Sequence, residues 1–444
     1  MALTFRGGVH VPEEKNTEGK AVRLFDSPKT VSIPMSQHIG APCIPIVKKG
    51  DTVDMGQIIG EVKAGLGCPV HASVSGTVIA IEEKRNSMGM AVQNVIIEND
   101  GENRISPEVR PYEGSFEELT FEEVVEVVRR AGISGMGGAT FPTYAKIQSA
   151  KDKVDTLIVN CAECEPYITA NHRLLLEEPD TVIGGMKILL RAFGLRVGDI
   201  AIEDNKPDAV KLIREKVKGS DFAEVKVLAT KYPQGDERQL IYAITGKEIP
   251  AGKLPADVGC VVFNAETCAS VYRAFVYGMP LIKRIVTVDG DCIADPCSVK
   301  CPIGTSYREL IDFCGGCTKE YRYIVNGGPM MGAAQWDIDA PVTKGTSAVL
   351  VFSEKVKPVY EQPSACIRCG RCVRACQMRL MPNYIATFSR EGKYDLCEQY
   401  DVMSCVECGA CTYVCPGSVP ITQLNRAAKA KINEKRKLMK GGAK

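Results

Sequence analysis

Two cysteine runs near the end of the chain constrain its fold more than anything else in it. Cys366-x2-Cys369-x2-Cys372-x3-Cys376 returns as Cys405-x2-Cys408-x2-Cys411-x3-Cys415-Pro416. Two-residue spacers wrap a tight loop around a cubane so that three thiolates reach three irons, and the fourth cysteine, at the start of a helix, reaches the other cluster. The spacing therefore predicts two [4Fe–4S] clusters. One would use Cys366, Cys369, Cys372 and Cys415; the other would use Cys405, Cys408, Cys411 and Cys376. The competing reading is a pair of zinc knuckles, but zinc needs two C-x2-C pairs and would leave two cysteines per copy idle. With two cubanes the segment is a one-electron wire.

The rest of the composition agrees. The chain has 20 cysteines against four histidines and one tryptophan. In a long chain whose start, Met1-Ala-Leu-Thr-Phe-Arg-Gly-Gly, lacks an apolar export segment, cysteines read as metal ligands or redox groups rather than as a disulfide framework. So few imidazoles leave soft thiolate ligation as the expected chemistry. At 444 residues, 45% hydrophobic and 25% charged, the chain has room for about three domains with packed cores. The net charge of +1 argues against nucleic acid as a partner. That balance hides a basic end: 426–444 holds eight Lys/Arg and one Glu, or +7, leaving −6 for the first 425 residues. No stretch approaches about 18 uninterrupted apolar residues, so no span is expected and the cytosol is the expected compartment.

Multidomain α+β and α/β architecture follows from the grammar along the chain. Residues 1–110 read as an N-terminal barrel-sandwich, with short strands and turns around Gly50-Asp51, Gly56-Gln57 and Gly76-Thr-Val. The pattern resembles biotinyl and lipoyl carriers, but Lys63-Ala-Gly-Leu-Gly-Cys68 stands where the modified Met-Lys-Met hairpin should be, so the module is read as unmodified. Residues 111–254 alternate helix and strand: a capping box at Thr120-Phe-Glu-Glu123 opens a helix, strands are expected at 156–160, 199–203 and 224–228, and helices at about 179–193 and 207–218. Residues 255–350 form a small α+β module. Residues 351–425 carry the cysteine runs, and 426–444 is a basic tail, read mainly as a solvated helix and otherwise as a magnet for an anionic membrane face or acidic partner.

A second site is expected at Gly132-Ile-Ser-Gly135-Met-Gly137-Gly138-Ala-Thr-Phe141-Pro-Thr143, between two helices. Glycines let backbone N–H groups approach a phosphate, and the following helix N-terminus adds partial positive charge. The loop fails the dinucleotide fingerprint, since Thr140 replaces the third glycine and no strand precedes it. It gains weight beside Asn160-Cys-Ala-Glu163-Cys-Glu165-Pro166, which leaves the end of an expected strand, where α/β sheets bind ligands. Chemistry supplies a reason for such a pocket. Hydride donors move two electrons and each cluster takes one, and a flavin is the usual converter.

These residues carry a family resemblance. Gly132 to Lys146 resembles, without gaps, the flavin-phosphate loop of the NADH-binding flavoprotein subunit of respiratory complex I. Asn160–Pro166, Tyr232-Pro-Gln-Gly235-Asp-Glu237 and Asn264-Ala-Glu266-Thr267 are similar to its later cofactor loops, in order. Phe5-Arg-Gly-Gly-Val-His10, Gln37-His-Ile-Gly-Ala-Pro42 and His71-Ala-Ser-Val-Ser-Gly76, with the doubled ferredoxin-type run, resemble the C-subunit family of the Rnf complexes, ion-translocating ferredoxin:NAD oxidoreductases. The resemblance implies FMN as cofactor with two [4Fe–4S] clusters, and NAD(H) as substrate. It implies that Gly135, Gly137, Gly138 and Lys146 hold the FMN phosphate, and that Asn160 and Asn264 lie by the flavin. Glu163 and Glu165 would face the flavin or nicotinamide, and Phe141 would stack in the NADH cleft. Gly235, Glu237 and Thr267 lie in its other cofactor loops. It further implies a β-grasp module of the soluble-ligand-binding type, a helical two-cluster ferredoxin domain, and a peripheral place on the cytoplasmic membrane face among integral and other redox subunits, with ferredoxin as the remote donor. One departure is the absence of the arginines that complex I carries where Ser134 and Met136 stand here. The runner-up enzyme is a microcompartment-type cobalamin reductase with similar flavin and cluster modules. An electron-relay scaffold without flavin is the reading from another class.

Other residues are weighed and set aside. Cys297, Cys301, Cys314 and Cys317 could form a further thiolate site, with ordinary reduced cysteines as the plainer reading. Cys161 and Cys164 read as packing residues rather than a redox pair. His71 reads as a packing residue, and no Ser/His/Asp spacing supports hydrolysis.

Overall fold

The computed structural model describes residues 2–86, 89–353 and 363–441. The barrel-sandwich forms as expected. Strands Thr30–Pro34, Ala91–Asn99, Gly76–Arg85 and Thr52–Val53 make one antiparallel sheet, and Ile44–Pro45, Ile58–Glu61 and Val70–His71 make the other. Alternation puts Val31, Ile33, Val78, Val95 and Ile97 inward, where they are fully buried. Lys63 lies exposed outside the strands.

The α/β domain is a four-stranded parallel sheet in the order Ala223–Leu228, Gly198–Glu203, Thr156–Asn160, Cys260–Asn264. Strands Thr156–Asn160 and Cys260–Asn264 read as continuous apolar runs because helices cover them, chiefly Pro179–Phe193 and Ala265–Tyr277. The capping box at Thr120 is present, and helix Phe121–Arg130 buries Val124, Val125 and Val128. The boundary expected at 255 is wrong by one strand and one helix. Cys260–Asn264 is in register with Thr156–Asn160, so the domain runs to Tyr277. The strand was not visible as part of this sheet because parallel pairing is non-local and carries no sequence mark.

Beyond it, a six-stranded mixed sheet in the order Arg23–Leu24, Cys297–Pro302, Lys283–Asp289, Ala348–Phe352, Tyr323–Asn326, Ala333–Gln335 packs helix Tyr307–Phe313, itself started by a Ser306/Glu309 capping box. The first strand of that sheet comes from the chain's beginning. Residues 2–25 are not part of the barrel but a strap across the other modules. Leu3 bridges Leu228, Val9 exchanges backbone hydrogen bonds with Tyr232, and Gly8 N–H donates to the Ala375 carbonyl.

The cysteine-rich segment is helical, with Arg371–Ala375, Pro382–Arg390, Tyr394–Gln399 and Ala410–Tyr413 closed by Ile421–Gly441. The expected boundary at 426 falls inside this last helix, which is no frayed tail. Ala428 and Ile432 are buried against Leu380, Ile385, Cys397 and Val402. An apolar stripe within the run of lysines decides the matter, since it offers the helix a core to join. Among the described residues no helix is long and apolar enough to cross a membrane.

Candidate functional site

The glycine loop closes on itself, with Gly135 N–H donating to the Phe141 carbonyl (2.8 Å) and a bridge between Ser134 and Pro142. Gly137 needs to be glycine twice over, because its φ is +79° and a Cβ would lie 2.7 Å from Asn264 Nδ2. A Cβ on Gly138 would meet nothing within 4 Å, so that side of the loop opens outward. Met136 N–H donates to Thr267 Oγ1 (3.1 Å), which ties the loop to helix Ala265–Tyr277. Ser134 and Met136 are both buried. The two positions that lack arginine thus face the interior rather than the open side.

Asn160 and Asn264 pair in register at the C-terminal ends of adjacent strands, directly under this loop. Asn160 Nδ2 donates to the Gly235 carbonyl (2.9 Å), and Asn264 Oδ1 accepts from Glu266 N–H (2.9 Å) as the cap of the following helix. Lys146 Nζ lies 2.9 Å from Glu237 Oε2 in a partly exposed ion pair, and Phe141 is 37% exposed. Next to Gly235, Gln234 is fully buried with both amide atoms unpartnered. A buried amide with nothing to bond costs roughly 1–3 kcal/mol, so this loop is shaped for a polar group from outside the protein. Gly135, Gly137, Gly138, Lys146, Asn160, Gly235, Glu237, Asn264 and Thr267 therefore come together. Open glycine backbone, a lysine and an unspent amide fit a phosphate-bearing flavin.

Each of the two carboxylates bonds backbone N–H groups. Glu163 accepts from the N–H groups of Asn171 (2.8 Å) and His172 (3.3 Å), so both its oxygens cap helix Ala170–Glu177. Glu165 accepts from Met330 N–H (3.0 Å) and Met331 N–H (2.9 Å), and burial pushes its carboxyl up to about 7. Burial likewise pushes the Cys161 and Cys164 thiols up, which keeps them protonated and poor nucleophiles.

Two lysines escaped the sequence reading. Lys15, on the strap, donates to the carbonyls of Glu163 (2.8 Å), Glu165 (2.8 Å) and Ile168 (2.7 Å), locking the loop from beneath. Lys344 is buried and donates to the Pro69 (2.9 Å) and Gly132 (2.6 Å) carbonyls, fastening the glycine loop's first residue to the barrel. Neither has a local signal, because both contacts join residues more than a hundred positions apart. His71 lies beside Gly132, buried and held neutral, with burial driving its pKa down to about 3.

The cysteine runs surround two cavities. The first is lined by Cys366, Cys369, Cys372 and Cys415, the second by Cys376, Cys405, Cys408 and Cys411. Each copy thus lends its fourth cysteine to the other's cavity, a donor set that fits two cubanes. Burial pushes Cys408 and Cys411 up to about 12, so loading iron there must displace protons. The second cavity abuts the glycine-loop site. Tyr232 Oη donates to the Cys408 carbonyl (2.6 Å), and Cys164, Cys408, Tyr232 and Ala410 share one apolar cluster. Among the described residues no three His, Cys, Asp or Glu side chains converge on a single-ion site; Cys297 and Cys314 are paired by their thiols (3.5 Å), while Cys317 is exposed.

Four family models cover the chain in this order: the RnfC barrel sandwich hybrid domain at 3–102, the Nuo51 FMN-binding domain at 128–273, the SLBB domain at 285–334 and the 4Fe–4S dicluster domain at 365–419. The C-subunit of the Na(+)-translocating ferredoxin:NAD(+) oxidoreductase complex of Acetobacterium woodii is 45% identical over 90% of both chains. Its proton-translocating counterpart in Clostridium ljungdahlii is 41% identical over 91% of this chain and 88% of that one. The chain belongs to the Rnf C-subunit family. A third member, from the ion-translocating oxidoreductase complex of Rhodobacter capsulatus, is 38% identical over 98% of this chain and 84% of its own.

Membership makes this chain an oxidoreductase subunit of a multi-subunit, membrane-associated complex, with an FMN-binding domain and a 4Fe–4S dicluster domain. The FMN-binding match ends within helix Ala265–Tyr277, just past the sheet's last strand Cys260–Asn264. Nothing favours the cobalamin-reductase reading.

Proposed function

We propose that this chain is the peripheral subunit at which NAD(H) meets the complex, on the cytoplasmic face, with electrons passing between NAD(H) and partner subunits and, through them, ferredoxin. The observation that carries it is the shared wall between the glycine-loop site and the second cysteine cavity, where Tyr232 bonds the Cys408 backbone. FMN at the loop would supply hydride exchange with NAD(H), and two [4Fe–4S] clusters would supply one-electron steps.

The chain's own residues bind and orient. Backbone N–H groups of Gly137 and Gly138, with Lys146, would hold the phosphate, while Gly135 shapes the loop through its own bond to the Phe141 carbonyl; the Lys146–Glu237 pair fixes where that charge stands. Asn160, Gly235, Asn264 and Thr267 set the loops, and the half-exposed Phe141 ring offers the nicotinamide a stacking face. Glu163, Glu165 and Lys15 hold the Asn160–Pro166 segment in place. Cys405, Cys408, Cys411 and Cys376 hold the inner cluster, and Cys366, Cys369, Cys372 and Cys415 the outer one.

The test is anaerobic. One FMN and about eight irons per chain, with NADH bleaching flavin and then cluster absorption, supports the reading. Eight irons without flavin reduces the chain to a relay.

A further inference from the structure

The cavity of the inner cysteine set holds more than thiols. Gln377, Thr422 and Asn425 also line it, and they are only 6%, 7% and 1% exposed. Asn425 Nδ2 donates to Cys405 Sγ (3.8 Å), and Thr422 Oγ1 lies 3.5 Å from Cys411 Sγ and 2.8 Å from Thr412 Oγ1. A ligand cysteine has lost its proton and can only accept. The Thr422 hydroxyl therefore donates to Cys411 and accepts from Thr412. Gln377 follows the ligand Cys376, and neither atom of its amide has a partner. Gln377 also borders an open groove beside Arg379, but its amide atoms are sealed from solvent. The cavity is the side on which that N–H can meet an acceptor.

We propose that Gln377, Asn425 and Thr422 form a hydrogen-bond set that raises the reduction potential of the inner cluster. The inference rests on the cluster reading above. One electron enters on reduction and no bond is made or broken, so the cluster gains one negative charge. Each donor to a sulfur therefore stabilises the reduced state more than the oxidised one. Enclosure works in the other direction, because charge added in a low-dielectric site is costly. Cys411 is buried and Cys376, Cys405 and Cys408 are half-buried. Glu407, the one carboxylate lining this cavity, is held by Arg426 and Lys429, so bare charge offers little offset. Enclosed in this way and without donors, the cluster would take an electron less readily than an open one. The three side chains restore it, and the cluster stays reducible from the flavin side without being opened to solvent. Thr422 and Asn425 come from helix Ile421–Gly441. The helix that the sequence marked by its charge thus acts here through two neutral residues.

The test uses the full chain loaded anaerobically with flavin and iron, titrated reductively against redox mediators and followed by low-temperature EPR. Cys366→Ala identifies which of the two midpoint potentials belongs to the inner cluster. Gln377→Met and Asn425→Leu keep the side-chain volume and drop the N–H. Each is expected to lower the reduced-to-oxidised ratio of the inner cluster about ten-fold at fixed potential, or about 59 mV for one electron, with the outer potential in place. Thr422→Val is expected to lose about three-fold, while Thr422→Ser keeps the hydroxyl and the parent potential. Iron per chain stays at the parent value in each. Where an amide variant loads less iron, the Thr422→Val and Thr422→Ser pair decides, because a merely structural role leaves the potential of a fully loaded chain unmoved. An inner potential indifferent to these substitutions overturns the proposal, as does an equal shift of both clusters. A parent chain without clusters fails the cluster reading and takes this proposal with it. A parent with two clusters whose potentials ignore these side chains fails this proposal alone.

Discussion

The two cysteine runs are one backbone used twice, with opposite surroundings. Arg368 and Glu407 occupy the same place in their loops, with φ of +57° and +58°, and Gly370 and Gly409 follow at +72° and +82°. The first run leaves Cys366 and Cys369 exposed under unpaired arginines. The second is enclosed: Cys405 and Cys408 are half-buried, Cys408 is bonded through its carbonyl to Tyr232, and Glu407 is neutralised by Arg426 and Lys429. The wrap around a cluster is thus fixed by spacing and left-handed turns, whereas the role of each cluster is fixed by what packs on the wrap. One copy packs against the loop that carries Tyr232, and the other opens to the surface.

Removing ligands breaks this comparison most severely. Cys408→Ala is expected to lower iron from about eight to about four per chain and to stop NADH-driven reduction of the remaining cluster, because the inner step is gone. Cys366→Ala should lose similar iron yet leave NADH-driven reduction of the inner cluster intact. Iron analysis with low-temperature EPR after NADH addition separates the two. Equal loss of cluster reduction in both variants would contradict the inner and outer order.

The glycines come next. A Cβ at Gly409 would stand 2.8 Å from the Met330 carbonyl oxygen, whereas at Gly370 the nearest atom is a flexible Arg374 guanidinium nitrogen at 3.6 Å. Both positions carry the left-handed cost of roughly 1–2 kcal/mol. Only Gly409→Ala adds overpacking against backbone, for a total of about 3 kcal/mol or more. Thermal unfolding of the two variants should therefore differ clearly, with Gly409→Ala melting lower.

Glu165 extends the asymmetry to pH. It grips Met330 and Met331, the loop that lies on Gly409, and its carboxyl is raised to about 7 by burial. A carboxyl raised in the folded state binds its proton more tightly there than in the unfolded chain. Its contribution is complete below the unfolded value near 4.5 and is lost as pH rises through about 7. Stability should fall by about 3 kcal/mol across that window, and Glu165→Gln should flatten this part of the profile. Denaturant melts between pH 5 and 8 check it, with EPR of the inner cluster as the local readout.

Much of this was legible in advance, for reasons that differ by element. The cluster ligands could be read because a cubane demands fixed local spacing, and the crossover of Cys376 and Cys415 follows from it. The glycine loop could be read because phosphate binding needs backbone without side chains at contiguous positions. Strand Cys260–Asn264 was assigned to the wrong domain, and Lys15 and Lys344 were missed, because a parallel pairing and a buried amine on distant carbonyls leave no local pattern. That Glu163 and Glu165 bond the N–H groups of residues 171–172 and 330–331 was not legible either, because a carboxylate at a strand end looks alike whether it meets a ligand or caps a helix. The basic tail misled for a related reason: its charge was plain, but the partners Asp395, Glu398 and Glu407 lie on other helices and loops.

The smallest predicted effect separates charge from packing at the paired residues. Glu407→Gln retains the side-chain shape but removes the anion that Arg426 (2.8 Å) and Lys429 (2.6 Å) share. Those groups are partly exposed, so screening limits the loss to about 0.5–1 kcal/mol. A fall in melting temperature of a few degrees or less is expected. The stronger consequence is electrostatic. Freeing two cations beside the inner run makes its surface resemble the outer one, so non-specific binding of a small acidic protein to the loaded chain should show a steeper salt dependence. If the pair were only structural, stability would drop and the salt dependence would stay as in the parent. If charge placement distinguishes the two copies, the reverse pattern appears: little change in melting and a measurable change in slope.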